Sequence, residues 1–273
     1  MWYDGKGEKS LALNWHWLAI KCCQCPVPAL ETMASEAASL GLELNWQKTK
    51  VQALGSREDV PPSITVLGQE VAMVEEFVYL GSLVHSSTQS SPDISRRNAI
   101  TRAAMQNLDK QIWRSRITVP TKLKLYNTCI LPIFLHGSEC WAVTKRDVLK
   151  IDALDQWCLW KLLEIKWYHH VRNDEVRRTT GQPRLSAIVQ ARRLSLFGFG
   201  HIARMPHETD ARSIITASPS ENWRKPPGRP RTTWMKTIQQ DLRSNNLSLD
   251  GAITVAQNRP LWRLMSAFGA THP

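Results

Sequence analysis

Two lysines, Lys48 and Lys50, lie in the stretch GLELNWQKTKVQALG between Gly41 and Gly55. A fixed ammonium suits phosphate chemistry, because a departing phosphate gains charge in its transition state and a positioned cation stabilises that charge. Phosphoryl transfer on nucleotides also needs carboxylates that hold metal ions. Before Gly41 these are scarce: Asp4 is the only aspartate ahead of Asp59 and has no acidic neighbour. The competing reading makes Lys48 and Lys50 solvated strand residues. The cysteines Cys22, Cys23 and Cys25 form no paired spacing of a closed zinc site. Cys140, Cys158, His169 and His170 could converge, but Cys158 falls on the apolar face of a helix. No metal site is assigned.

The elements that would position these lysines are short. Residues 29–40 read as a helix that follows Pro28 and stops at Gly41. Leu42, Leu44 and Trp46 alternate with polar neighbours, as do Val51 and Ala53, so both runs read as strand, with Lys48 and Lys50 near a bend. PPSITVLGQEVAMVEEFVYLGSLV reads as a hairpin turning at Gly68-Gln69, followed by a strand closing on FVYLG.

After HSSTQSSPD the period becomes helical and stays so. A helix from Pro92 to about Arg116 is expected to bury Ile100, Ala104, Leu108 and Ile112. At about 100° per residue, Arg96, Lys110 and Arg114 fall on its opposite face. A second helix from Pro120 carries Leu123, Tyr126, Cys129 and Ile130, and Pro132 should kink or end it. Thr144 and Asp147 mark a cap for a helix burying Ile151, Leu154, Cys158, Leu162 and Ile165. Asn173 should cap a short helix stopped by Gly181, and a further helix holds Arg192 and Arg193 on its outer side. Trp113, Trp223 and Trp262 each adjoin an arginine; core packing competes with base stacking for them, with Trp262 read as core. NWRKPPGRPRTT must be a loop, and helices restart on Trp234, Ile238 and Leu242, at Ser248 and at Pro260.

The chain has 273 residues and a formal net charge of +11. The excess points to an anionic partner, nucleic acid first and an acidic membrane surface second, against a basic protein with neither. No apolar run approaches the roughly 20 residues of a bilayer span, and the N-terminus lacks the charge order of a signal peptide. The expectation is an intracellular protein, in nucleus or cytoplasm, with no membrane partner. Pro92 to Lys124 holds eight Lys or Arg against Asp93 and Asp109.

The ordered series GLELNWQKTKVQALG, FVYLGSLV, ISRRNAITRAAMQNLDKQIWRS, KLKLYNTCILPIFLHGSECWAV, LFGFGHIARM and GRPRTTWMKTIQQDL resembles the C-terminal part of reverse transcriptases of non-LTR (LINE-like) retrotransposons, from about residue 29 to the end. The resemblance implies an α+β fold: a small antiparallel palm-edge sheet with one helix over 29–84, thumb-like helices over 92–140, and a helical extension over 141–273 with a basic loop at 222–233. Residues 1–28 look unrelated to it. By resemblance Lys48 has the pyrophosphate-side role, Tyr79, Leu80 and Gly81 position the primer, and the Pro92 helix holds the duplex through Arg96, Lys110 and Arg114. The family's RNA-directed DNA polymerases use Mg2+ held by aspartates that are absent here. LFGFGH carries two residues more than the family's LFGH, which favours a loop at that point. Gly228-Arg229-Pro230-Arg231 also resembles the AT-hook of minor-groove binders, with Pro227 where a basic residue is usual; a basic inter-helix loop is the competing reading.

The expected function is a truncated reverse-transcriptase-derived protein that binds an RNA or DNA duplex. It would use Arg96, Lys110, Arg114, Arg229 and Arg231, with no cofactor and no polymerase activity by itself. The alternatives are a polymerase tail active only with the missing palm, and a non-enzymatic interaction protein or relic.

Overall fold

A computed structural model describes residues 26–54, 61–195, 198–206, 208–216 and 232–268. Cys22, Cys23, Cys25, Trp223, Arg229 and Arg231 lie outside the described residues. The fold is α+β and divides into two compact units, one holding residues 1–79 and 83–88, the other 80–82 and 89–273.

In the first unit, helix α1 (Pro26–Ser39) ends as Gly41 turns left-handed at φ 71°. The amide of Gly41 then donates to Ala38 O and that of Leu42 to Ala37 O, the pair of bonds that closes a helix whose last carbonyls would otherwise lack donors. Strands β2 (Ser63–Val66) and β3 (Gln69–Met73) pair antiparallel through a turn at Leu67 and Gly68, where both φ values are positive. The short strand β1 (Lys50–Val51) joins β3 in parallel, Lys50 opposite Ala72. Leu30, Val66 and Val71 form a small core with Val27, Trp46, Val51 and Ile64 against it. Leu42, Leu44 and Trp46 are half-buried and alternate with exposed neighbours, as a strand would. No strand forms there, because among the described residues no neighbour pairs with that segment. Strands β4 (Glu76–Tyr79) and β5 (Ser82–His85) form a separate hairpin. Gln52 Nε2 donates to Glu75 O at 2.7 Å and Val84 O at 3.0 Å, so one amide ties the segment after β1 to that hairpin.

The second unit is helical. Helix α2 (Ser91–Asn107) buries Ile94, Arg97, Thr101 and Met105. The expected stripe of Ile100, Ala104, Leu108 and Ile112 is only half-buried, one residue out of phase. Helix α2 also stops short of Arg116: Leu108 leaves helical geometry and a π turn spans Asp109–Trp113. Trp113 is fully buried and its indole N–H donates to Met105 O at 2.9 Å, so it packs the core and is closed to base stacking. Helix α3 (Val119–Leu125) runs through a second π turn, Tyr126–Ile130, into α4 (Leu131–Leu135). Pro132 has no N–H for the carbonyl four residues back, and the wider turn before it lets the chain continue where an end or kink was expected. Cys129 is exposed, while Tyr126 and Ile130 are buried.

Helix α5 (Lys145–Leu162) begins with a full capping box of Thr144 and Asp147 and buries Ile151, Leu154, Cys158 and Leu162. Burial pushes the Cys158 thiol up to about 12, so it packs as an apolar group. Helix α6 (Asn173–Thr180) is preceded by Arg172 at the cap position, with Asn173 as its first residue, and ends at Gly181. Buried Asp155 accepts from Tyr126 Oη and Arg177 Nη2, each at 2.7 Å, and so fastens α5 to the π turn before α4 and to α6.

Helix α7 (Leu185–Leu194) packs Leu185 and Val189 into this first core and Leu194 into a second one. The second core holds Phe199, Ile238, Leu242, Ala252 and Trp262 from α8 (Phe199–Ala203), α10 (Trp234–Ser244), α11 (Leu249–Ala256) and α12 (Arg259–Phe268), with α9 (Asp210–Thr216) beside α8. Trp262 is core, its indole N–H bonded to Leu194 O at 2.7 Å. A Cβ on Gly200 would collide with that indole, which explains a glycine there. Helix α7 ends at Leu194 and α8 starts at Phe199, while Leu196 and Phe197 of LFGFGH lie outside the described residues.

Arg193 corrects an expectation. It is 4% exposed, not outward, and pairs with Asp241 at 2.8 Å. Its partner lies 48 residues away, beyond the reach of helical periodicity. A buried pair broken on one side leaves an uncompensated charge. Asp241→Ala is therefore expected to destabilise the chain by about 3–5 kcal/mol, and Arg193→Met with Asp241→Leu by clearly less, in urea unfolding followed by circular dichroism.

Burial also pushes the Asp241 carboxyl up to about 6, with Arg193 opposing that rise. A carboxyl that holds its proton more tightly in the fold than in the open chain favours folding at low pH. Its contribution is present below the unfolded value, about 4, and declines as pH rises through about 6. Unfolding free energy measured between pH 4 and 7 should lose this downward component in Asp241→Asn.

Candidate nucleic-acid interface

The expected site residues fall into separate places. Lys48 belongs to the first unit, exposed on a turn. Its amide is fixed by Asn45 Oδ1 at 3.0 Å, and Thr49 Oγ1 donates to Asn45 O at 2.9 Å. The backbone under Lys48 is therefore set while its side chain is in solvent. Lys50 is exposed at the start of β1. Tyr79 is half-buried at the end of β4.

Leu80, Gly81 and Ser82 belong to the second unit and are gripped there. Leu80 and Gly81 both have positive φ, 46° and 85°, the geometry of a tight two-residue hairpin turn. A leucine in that region costs about 1 kcal/mol, and Leu80 is nonetheless 68% exposed. What holds it is a set of donors on the turn's carbonyls. Arg96 Nη1 donates to Gly81 O at 3.0 Å, and Arg97 Nη2 donates to the same oxygen. Arg97 Nη1 also reaches Ile133 O at 3.3 Å. His136 Nε2 meets Leu80 O at 2.9 Å, which requires its proton on that nitrogen.

Arg97 is buried, and desolvation lowers its guanidinium pKa, Asp93 opposing and Arg96 adding to the fall. Asp93 is itself buried and accepts from Trp141 Nε1 at 2.7 Å. Sequence reasoning passed over Arg97 and His136. One signal was available: adjacent arginines on a helix point about 100° apart, so of Arg96 and Arg97 one must turn toward the core.

Arg96, Lys110 and Arg114 do not share one helical face. Arg96 is half-buried on the Gly81 carbonyl, whereas Lys110 and Arg114 follow the break at Leu108. Lys110 is exposed; Arg114 is also exposed and pairs with Asp109 at 2.9 Å. Two further cations of the 92–124 region are structural. These are Arg97 and Lys122, the latter 4% exposed with its ammonium on Trp113 O at 2.5 Å and Glu164 at 2.8 Å. That leaves Arg102, Lys110, Arg114, Arg116 and Lys124 at the surface. Of the two anions of that region, Asp93 is buried and the Asp109 side chain is 13% exposed. The outward face is therefore more one-sided in charge than the sequence count implies.

Among the described residues no group of three or more His, Cys, Asp or Glu is arranged to hold a metal ion. Cys140 is exposed, Cys158 is buried, and neither belongs to such a group. Among the described residues no helix is long and apolar enough to cross a membrane.

The grip on the turn also depends on Gly137, which has φ 74° and whose Cβ would fall on Ser82 Oγ. Gly137→Ala is expected to lower stability by about 1–3 kcal/mol in urea unfolding. Gly181→Ala, also at positive φ but with open space around it, should cost about 1 kcal/mol or less.

The chain is similar to an uncharacterized transposon-derived protein of Caenorhabditis elegans, 25% identical over 250 residues that cover 85% of each chain. No family model matches the chain, and no solved structure matches it.

Proposed function

We propose that this chain is a reverse-transcriptase-derived protein that binds nucleic-acid duplex through backbone phosphates and does not polymerise by itself. The observation that carries this reading is the surface left by α2, its π turn and α3. Arg102, Lys110, Arg114, Arg116 and Lys124 face out while both carboxylates of the region are covered. A surface of one sign attracts a polyanion and releases its counterions. The ordered resemblance to non-LTR retrotransposon reverse transcriptases and the similarity to a transposon-derived protein support the origin. Phosphate contacts of this kind position a duplex and carry no sequence information.

Lys110→Ala, Arg116→Ala and Lys124→Ala together should weaken binding to every B-form DNA duplex about equally. They should flatten the slope of log affinity against log salt by roughly two to three. Fluorescence anisotropy at several salt concentrations measures both, and an unchanged slope contradicts the reading. In primer extension on poly(rA) with magnesium or manganese, incorporation by the chain should not exceed that of Lys48→Ala.

The fixed turn beneath exposed Lys48 favours a second reading, in which this lysine serves a polymerase whose carboxylates come from another polypeptide segment. Supplying such a segment in trans should then restore extension to the chain and not to Lys48→Ala.

A further inference from the structure

Trp157 on α5 is half-buried and carries two cations on its ring. The Arg102 guanidinium carbon, from α2, lies 4.6 Å from the ring centroid, and Lys161 Nζ, one turn along α5, lies 5.5 Å from it. Lys161 Nζ is also 3.3 Å from Asp109 Oδ1, and the other oxygen of that carboxylate is 2.9 Å from Arg114 Nε. Arg102 of α2 and Lys161 of α5 thus share one indole, and Lys161 shares one carboxylate with Arg114, the residue after the π turn. Among the described residues Arg102 makes no ion pair. A structural role would need only the aliphatic stems against the ring; it leaves unexplained why two cations share that ring while a third is joined to them through a single carboxylate.

We infer that Arg102 and Lys161 on the Trp157 ring, with Arg114 joined to Lys161 through Asp109, form a binding site for consecutive backbone phosphates of a nucleic-acid duplex. The inference rests on the nucleic-acid reading above and extends it to α5, which that reading does not use. The ring does two things. It holds the Arg102 plane by a cation–π contact, which lowers the rotamer freedom lost on binding, and it leaves the N–H edges of the guanidinium open for a phosphate. Asp109 aligns Lys161 and Arg114 without neutralising the site. An arginine fork suits the two oxygens of a phosphodiester, and the lysine adds a point charge for its neighbour.

The test is duplex binding by the full chain in fluorescence anisotropy, with a mixed-sequence B-form DNA duplex at several salt concentrations. Arg102→Ala with Lys161→Ala should reduce the slope of log affinity against log salt by about 1.8 and weaken binding about 10- to 100-fold near 0.1 M salt. Trp157→Leu keeps the charges, so it should weaken binding several-fold with the slope unchanged. Circular dichroism and thermal unfolding identify any variant that has lost its fold. For the double variant, Arg102→Gln with Lys161→Gln, which keeps the stems, serves as a second form and should give the same loss of slope.

Three results overturn the site. If the double variants keep the parent's slope while Lys110→Ala with Arg116→Ala lowers it, the nucleic-acid reading stands and the α5 site falls. If the parent chain binds no duplex, both fall together. If the parent binds vesicles of phosphatidylserine with phosphatidylcholine and not the duplex, the cations serve a membrane surface and the inference is again overturned.

Discussion

A guanidinium inside a protein must be given acceptors, and the second unit is arranged around one that is. Arg97 is buried on the inner face of α2, where it donates to Gly81 O and to Ile133 O at 3.3 Å. Those acceptors belong to a hairpin turn and to α4, so a single side chain fixes three pieces of chain to one another. The turn it holds contains Leu80 in a left-handed conformation. Such backbone persists only where its surroundings impose it. Here they do so through Arg96, Arg97 and His136 on the carbonyls, and through Gly137 close against Ser82. The charge of Arg97 is therefore spent on architecture.

The same division applies elsewhere. Lys122 and Arg193 are cations by composition and struts by position, each paired with a carboxylate. Asp155 joins three elements through Tyr126 and Arg177. Burial raises the pKa of that carboxyl while Arg177 opposes it, so the group is held by its hydrogen bonds against the cost of desolvation. The exposed cations of 92–124 lie on α2, its π turn, α3 and the segment that joins them. Net charge alone overstates how much positive surface a chain has. Along 92–124 three of the eight cations are taken up by the fold and both acids are covered, which leaves five exposed cations.

Local chemistry was legible in the sequence. The stop of α1 at Gly41, the Thr144–Asp147 box, the helix start at Ser248 and the stop at Gly181 all depend on groups within a few residues of each other, and each forms. Gly251 sits three residues after Ser248 and supplies the amide that Ser248 Oγ accepts, at 3.1 Å. The α+β division also follows from the change of period after HSSTQSSPD, and most of the helices start where their signals place them. Long-range facts were not legible. Arg193 looked outward because helical spacing has no knowledge of Asp241. The stripe on α2 was placed one residue out of phase because Ile94, Met105 and the aliphatic part of Arg97 outweigh Ile100 in covering the core. The π turn at Asp109–Trp113 then moved Lys110 and Arg114 off the face assigned to Arg96. The strand pattern of Leu42–Trp46 was real as a burial pattern, but strands need partners, and none pairs there among the described residues. Of the candidate residues, Lys48, Leu80 and Gly81 were singled out by resemblance, while the arginine grip on the Leu80–Gly81 turn emerged only from the fold.

The central claim is that the arginines of this chain separate into buried struts and outward phosphate ligands. Modification by phenylglyoxal, read residue by residue by mass spectrometry with and without a DNA duplex, tests it directly. Arg97 and Arg193 should stay unmodified in the folded chain under both conditions, and Arg102 and Arg116 should react freely and become protected when duplex is added. Rapid modification of Arg97 in the folded chain, or equal reactivity of Arg102 with and without saturating duplex, would contradict the account.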